Sequence, residues 1–107
     1  MAGAPNMSGM LKQVQEMQQR MAEVQDRLGD LLVNGEAGGG MVKVTADGKQ
    51  RIRKIEVEKE VVDPADVAML EDLLLTAVNK ALEESSRVAQ AELQKATHGL
   101  LPNLPGF

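Results

Sequence analysis

The chain is predicted to adopt an α+β fold: a long N-terminal helix, a three-stranded antiparallel meander, then a long C-terminal helix. Three observations predict it. Apolar residues from Met7 to Leu31 recur in alternating steps of three and four, the heptad spacing that lays one seam along a helix. Between Val33 and Val57 the period drops to two around an Asp47-Gly48 pair, which marks strands joined by a tight turn. From Leu70 to Leu93 apolar residues return to helical spacing.

Taken in order, residues 1–6 place Gly3 and Pro5 among small side chains without periodicity, and are expected to be disordered. Asn6 or Ser8 can cap the first helix. Its seam is Met7, Met10, Val14, Met17, Met21, Val24, Leu28 and Leu31, with Gln, Glu, Lys and Arg on the other faces. A helix of about 25 residues spans ~37 Å, whereas a compact chain of this size has a radius of gyration near ~13 Å. The helix must therefore protrude, or pack lengthwise on another long helix.

A short strand is expected over about Val33–Ala37, and Gly38-Gly39-Gly40 then permits a sharp reversal because no Cβ obstructs it. Val42 and Val44 alternate with Lys43 in the second strand. Asp47-Gly48 fits a type I′ turn. The third strand should run from about Gln50 to Val57 with Ile55 and Val57 toward the core. Ile52 breaks its alternation, so either a bulge near Arg53 and Lys54 or an apolar contact on the other face is expected. Asp63 and Pro64 suit an N-cap and a first helical position. Either the last helix begins there, or a separate turn precedes a helix starting near Ala68. Its stripe includes Leu70, Leu73, Leu74, Ala77, Ala81, Ser85, Val88, Ala89 and Leu93. The first half is expected to cover the sheet and the second to lie beside the first helix. Gly99 ends the helix at His98-Gly99, and Pro102 and Pro105 forbid its resumption. One domain over 7–99 and a flexible apolar tail over 100–107 complete the organisation.

A chain of 107 residues with Phe107 as its single aromatic must build a modest core from Leu, Val, Ile, Met and Ala. A three-stranded sheet has two open edges, and one chain supplies too little apolar area to cover both sheet faces and two helical seams. A homodimer about a two-fold axis is expected to solve both problems.

The chemistry the chain lacks narrows its function. It has no cysteine and one histidine, which removes disulfides, thiol catalysis and any Cys/His metal site. His98 stands beside a helix-ending glycine and has no nucleophile or acid to complete a catalytic set. Gly38-Gly39-Gly40 is not followed by the Gly-Lys-Ser/Thr of a phosphate loop, and Glu71-Asp72 and Glu83-Glu84 are ordinary exposed helix pairs. The chain is read as a non-enzyme with no cofactor and no small-molecule substrate. The N-terminus lacks the basic and apolar regions of a signal peptide, and no stretch has the ~20 apolar residues of a membrane span. A cytoplasmic protein without a membrane partner is expected.

Net charge is −4, yet Lys43, Lys49, Arg51, Arg53 and Lys54 cluster in the strands against the lone acid Asp47. Two readings stand for this cluster: a solvated edge that blocks sheet-to-sheet association, and a patch that contacts phosphate. Without aromatic side chains there is nothing on which to stack single-stranded bases. A nucleic-acid partner would be double-stranded DNA gripped by its backbone.

The order of a polar heptad helix, GEAGGGMVKVTADG at 35–48, RIRKIEVEKE at 51–60 and DPADVAMLEDLLLTAVNKAL at 63–82 resembles the YbaB/EbfC family of bacterial nucleoid-associated proteins, over nearly the whole chain. The resemblance implies a tweezers-like homodimer whose long helices project as arms. It also implies DNA binding with weak sequence preference, a role in nucleoid organisation and gene regulation, and a nucleoid location. DNA contacts in the family are attributed to the first and last helices, which points to Lys12, Gln13, Gln19 and Arg20, and to Arg87, Gln94 and Lys95. Here Glu83, Glu84 and Glu92 lie beside the last group. The strand cluster is an addition from charge alone. The alternative from another class is a helical-arm adaptor or chaperone-like protein that grips protein partners through its methionine seam.

Overall fold

A computed structural model describes residues 7–97; the expectations for 1–6, for His98-Gly99 and for the tail over 100–107 fall outside the described residues. Helix α1 (Met7–Asp30) leads into strands β1 (Leu32–Ala37), β2 (Val42–Asp47) and β3 (Ile52–Val57). A single 3-10 turn (Lys59–Val61) follows, and then helix α2 (Val67–Ala96). The sheet is an antiparallel meander in the order β1-β2-β3, so the predicted α+β arrangement holds.

Gly35 in β1 is the closest meeting point of sheet and helix. A Cβ there would run into the α2 backbone at the Ala77 carbonyl and the Ala81 amide. Helix and strand touch backbone to backbone at this point, which only Gly facing Ala permits. Around it packs the core of Ala37, Val42, Val44, Ala46, Val61, Ala77 and Ala81, flanked by Val33, Leu70, Leu73, Leu74 and Val78.

Gly38, Gly39 and Gly40 all have positive φ (64°, 66° and 94°), so the sharp reversal expected of them is realised in backbone that other residues rarely adopt. The second hairpin differs from expectation. Gly48 does not supply a left-handed turn; that conformation falls to Gln50 (φ 63°). Gln50 N–H donates to Asp47 O (3.2 Å) and Asp47 N–H to Arg51 O (2.9 Å), giving a type I turn with a left-handed third residue in place of type I′. The reason lies outside the hairpin. Gly48 N–H donates to the carbonyls of Leu28 (2.8 Å) and Leu31 (3.0 Å), closing the C-terminal end of α1. A Cβ on Gly48 would lie 2.8 Å from Leu28 O.

The expected bulge is present. Thr45 pairs with Lys54 and Ala46 with Ile52, leaving Arg53 as the extra residue. Ile55 and Val57 sit opposite Val44 and Val42 and share their face of the sheet. They are nevertheless 49% and 37% exposed. Helix α2 lies over β1 and β2 and barely reaches β3, so in the single chain the expected core position of these two residues is uncovered.

The separate-turn alternative describes the start of α2. Asp63 Oδ1 accepts from Ala65 N–H (2.9 Å) and Asp63 O from Asp66 N–H (2.9 Å); Asp66 then caps the helix, accepting from Met69 N–H (3.2 Å). Beyond the sheet α2 continues beside α1, with Arg27 Nε 3.5 Å from Glu92 Oε2. On α1, Val24 and Leu28 are buried and Met17 and Met21 half-buried, while Met7, Met10 and Val14 are exposed. The chain measures 80 × 25 × 16 Å. The first helix thus both packs lengthwise and protrudes.

Replacing Gly35 with Ala should push α2 off β1. A loss of about 2–3 kcal/mol is expected, read as a lower urea midpoint in far-ultraviolet circular dichroism, with Gly39→Ala costing less because nothing lies within 4 Å of its Cβ position.

Candidate nucleic-acid interface

All the sequence-predicted site residues are exposed, and the structure sorts them into three settings. Along the protruding half of α1, Lys12 and Gln19 stand on the side away from the methionine seam, while Gln13 and Arg20 lie on its flank, as helical spacing requires. Among the described residues neither Lys12 nor Arg20 has a carboxylate in ion-pair range. Both are exposed, with Glu16 one helical turn from each.

The α2 group is engaged within its own helix. Arg87 donates through Nε (2.9 Å) and an Nη (2.6 Å) to Glu84 Oε2. This hydrogen-bonded pairing holds the Glu84 carboxyl below its usual value and raises Arg87 further. Lys95 Nζ lies 3.4 Å from Glu92 Oε1, and the same glutamate meets Arg27 of α1. Gln94 is exposed beside them.

The strand cluster is divided. On the face opposite α2, Lys43 is flanked across the ladder by Glu36 and Glu56, and Lys54 Nζ lies 3.6 Å from Glu56 Oε1. That face is balanced in charge. Arg53, turned out of register by the bulge, donates to Asp47 Oδ2 (3.1 Å) and to the Gly29 carbonyl at the end of α1 (3.3 Å). Lys49 and Arg51 are exposed at the hairpin tip. Arg53 and its neighbours thus complete the negative end of α1.

The sequence marks Asp47 as a turn former and as the lone acid of the strand cluster; the structure gives it a larger role. Its carboxylate is buried, with Oδ1 accepting from the N–H groups of Lys49 (2.8 Å) and Arg51 (3.2 Å) and Oδ2 from Arg53. Burial alone would raise its pKa; the Arg51 and Lys49 amides and the Arg53 guanidinium outweigh that and hold it below the ordinary 3.8. Its backbone carbonyl accepts from the buried hydroxyl of Ser85 on α2 (2.6 Å), which in turn accepts from Gln50 N–H (3.0 Å). An aspartate followed by Gly in sequence cannot distinguish this junction from a hairpin turn, because the deciding partners come from α1 and α2.

Among the described residues the arrangement offers exposed cations, chiefly on the arm. Among the described residues no three His, Cys, Asp or Glu side chains converge on a metal position, and no helix is long and apolar enough to cross a membrane.

Comparison with known proteins identifies the family. A model of the YbaB/EbfC DNA-binding family matches residues 2–100. A nucleoid-associated protein of Desulforamulus reducens is 54% identical over 102 residues, covering 95% of each chain. One from Alkaliphilus metalliredigens is 45% identical over 107 residues, covering 100% of this chain and 92% of its own. One from Chlorobium luteolum is 48% identical over 99 residues, covering 92% and 89%. Among solved structures, an uncharacterised protein from Helicobacter pylori shares the fold, with a TM-score of 0.67 at 16% identity over 90% of this chain and 97% of that one.

Because Asp47 has a lowered pKa, its contribution to stability is complete above the unfolded-state value near 4 and is lost as pH falls through the lowered folded value. Asp47→Asn keeps an acceptor for the two amides but sets an NH2 against Arg53. It should cost about 1–3 kcal/mol at pH 7 and flatten the fall in stability below about pH 4, as measured by urea titrations at pH 7, 4 and 3.

Proposed function

The chain belongs to the YbaB/EbfC DNA-binding family, and from that premise we propose that it is a non-enzymatic nucleoid protein that binds duplex DNA as a homodimer with low sequence specificity. By coating or bridging DNA it would organise the nucleoid and influence gene expression, in the cytoplasm. The observation that carries the reading is the protruding α1 arm, where Lys12 and Arg20 stand about 12 Å apart along the helix, both exposed and neither ion-paired among the described residues. Contacts of that kind reach phosphates and carry no sequence information. Net charge of −4 disfavours binding by the surface as a whole, so attachment belongs to local cations. The arm positions Lys12, Gln13, Gln19 and Arg20 lead; Arg87, Gln94 and Lys95 support them from α2 if DNA draws the two cations from their glutamates. Lys49 and Arg51 at the hairpin tip come next, and Lys43, Arg53 and Lys54 contribute least because acids already flank them.

The dimer follows from the uncovered part of the core face. Ile52, Ile55 and Val57 on β3 are 37–49% exposed and Leu75 on α2 is 62% exposed. Leu75 and Leu82 lie on the flank of α2 from which Ser86 accepts a hydrogen bond from Gln50 Nε2 (2.8 Å), the flank turned toward β3. These side chains line an apolar wedge. Full burial of such a residue stabilises by roughly 1.5–3 kcal/mol, and a second copy related by a two-fold axis would present the same wedge in return.

In a gel retardation assay at low salt, Lys12→Ala with Arg20→Ala should weaken duplex binding at least tenfold. It should also lower the slope of log affinity against log salt by roughly 3 to 4 if both arms of a dimer touch phosphate at these positions; Lys54→Ala should leave both nearly unchanged. Wild-type protein that fails to retard any duplex at low ionic strength would defeat the reading. Ile55→Asp should convert the dimer to monomer in sedimentation velocity, and a monomeric wild type would remove the dimer from the proposal.

A further inference from the structure

Among the described residues only Glu92 pairs with two cations, and they come from different helices. Its Oε2 lies 3.5 Å from Arg27 Nε on α1, and its Oε1 lies 3.4 Å from Lys95 Nζ on α2. The acid is set inward, its side chain 17% exposed, while those of Arg27 and Lys95 are 51% and 73% exposed. The cations therefore stand between the carboxylate and solvent.

Both are loosely held. Arg87 meets Glu84 at 2.9 and 2.6 Å, and Arg53 reaches Asp47 at 3.1 Å. By contrast the Arg27 guanidinium has its ion pair with Glu92 alone among the described residues, and Lys95 commits one of three ammonium donors. Most of their donors are free for another acceptor. A phosphodiester offers what Glu92 offers, two anionic oxygens on one centre, and guanidinium and ammonium groups bind either.

The pair also continues the arm. Arg27 follows Arg20 by one heptad, ~10.5 Å along the same flank of α1. The helices run antiparallel, since the C-terminal end of α1 meets the hairpin that Ser85 holds and α2 then passes Arg27 at Glu92. Lys95, a turn beyond Glu92, thus lies toward Arg20. Glu16, Glu23 and Asp30 are each one turn along α1 from one or both arginines, and none forms an ion pair among the described residues. Glu92 is the acid in contact.

We infer that Arg27 and Lys95 form a phosphate site at the base of the arm and that Glu92 holds it closed. In the free protein the carboxylate occupies both cations, and its charge opposes any phosphate that would take its place. The site follows from these contacts; that its ligand is a DNA phosphodiester rests on the duplex-binding reading.

Glu92→Gln removes the charge and keeps the size of the side chain, and Glu71→Gln makes the same change at an exposed position of α2 with no ion pair among the described residues. In the full chain, inorganic pyrophosphate followed at the Arg27 Nε–H signal by heteronuclear NMR should bind Glu92→Gln about fivefold more tightly than Glu71→Gln. In low-salt gel retardation Glu92→Gln should bind duplex more tightly by a similar factor, with a salt slope steeper by roughly 2 to 4 for a dimer. Adding Arg27→Gln and Lys95→Gln should abolish the gain on duplex. Equal pyrophosphate affinity in the two single variants, or a duplex gain that survives loss of both cations, would overturn the inference and leave the duplex-binding reading standing. A pyrophosphate gain where no form of the protein retards duplex supports the site and defeats that reading instead. If Glu92→Gln does not fold, the unmodified chain decides: pyrophosphate must shift the Arg27 signal at lower concentration than that of Arg53, and the reverse order overturns the site.

Discussion

The fold depends on one close approach, that of the α2 backbone to β1 at Gly35. With Ala77 and Ala81 as the facing residues, the helix sits directly on the strand and its position across the sheet is fixed. From there its larger side chains, Leu70, Leu73, Leu74 and Val78, reach the core face of β1 and β2. A bulky pair at this crossing would lift the helix off the strand. Because the helix is drawn down over β1, β3 is left uncovered, and the apolar face of one chain runs past the edge of its own helix. The same placement carries α2 beyond the sheet, where it can only lie beside α1.

A second junction, at the hairpin between β2 and β3, locks the arm to the body. Asp47 gathers two backbone amides and Arg53 around a buried carboxylate, Ser85 ties the hairpin to α2, and Gly48 closes the end of α1. Four elements meet there through hydrogen bonds whose donors and acceptors are mostly backbone. Such a junction is directional in a way apolar packing is not. It sets the angle at which α1 leaves the sheet, and so where the arm cations stand. Two cations that looked alike in sequence, Arg53 and Arg20, consequently differ in kind: one completes a buried acid, the other is exposed and without an ion pair among the described residues.

Most of the architecture was legible because it follows from local periodicity. The heptad steps of Met7–Leu31, the alternation around Val42 and Val44, and the Asp-Pro punctuation before α2 each report on a few consecutive residues, and each element formed where its pattern lay. The bulge at Arg53 was legible for the same reason, since Ile52 interrupts a strict alternation. The candidate site was legible only as a set of charges. Which of those charges are neutralised depends on Glu36, Glu56, Glu84, Glu92 and Asp47, and of these Glu36, Asp47 and Glu56 reach their cations through strand pairing and the bulge.

The sequence by itself determined the element order, the α+β class, the triple-glycine reversal and the family, because these rest on spacing and motif. Tertiary structure alone decided that Gly48 serves α1 while Gln50 takes the left-handed position, that Asp47 is a buried hub, and that Ile55 and Val57 face the core yet stay uncovered. The physical reason is the same in each case: the deciding atom belongs to a residue distant in sequence, Leu28, Ser85 or Ala77. A local pattern records what a residue can do, and the packing of distant backbone selects which of those possibilities it does.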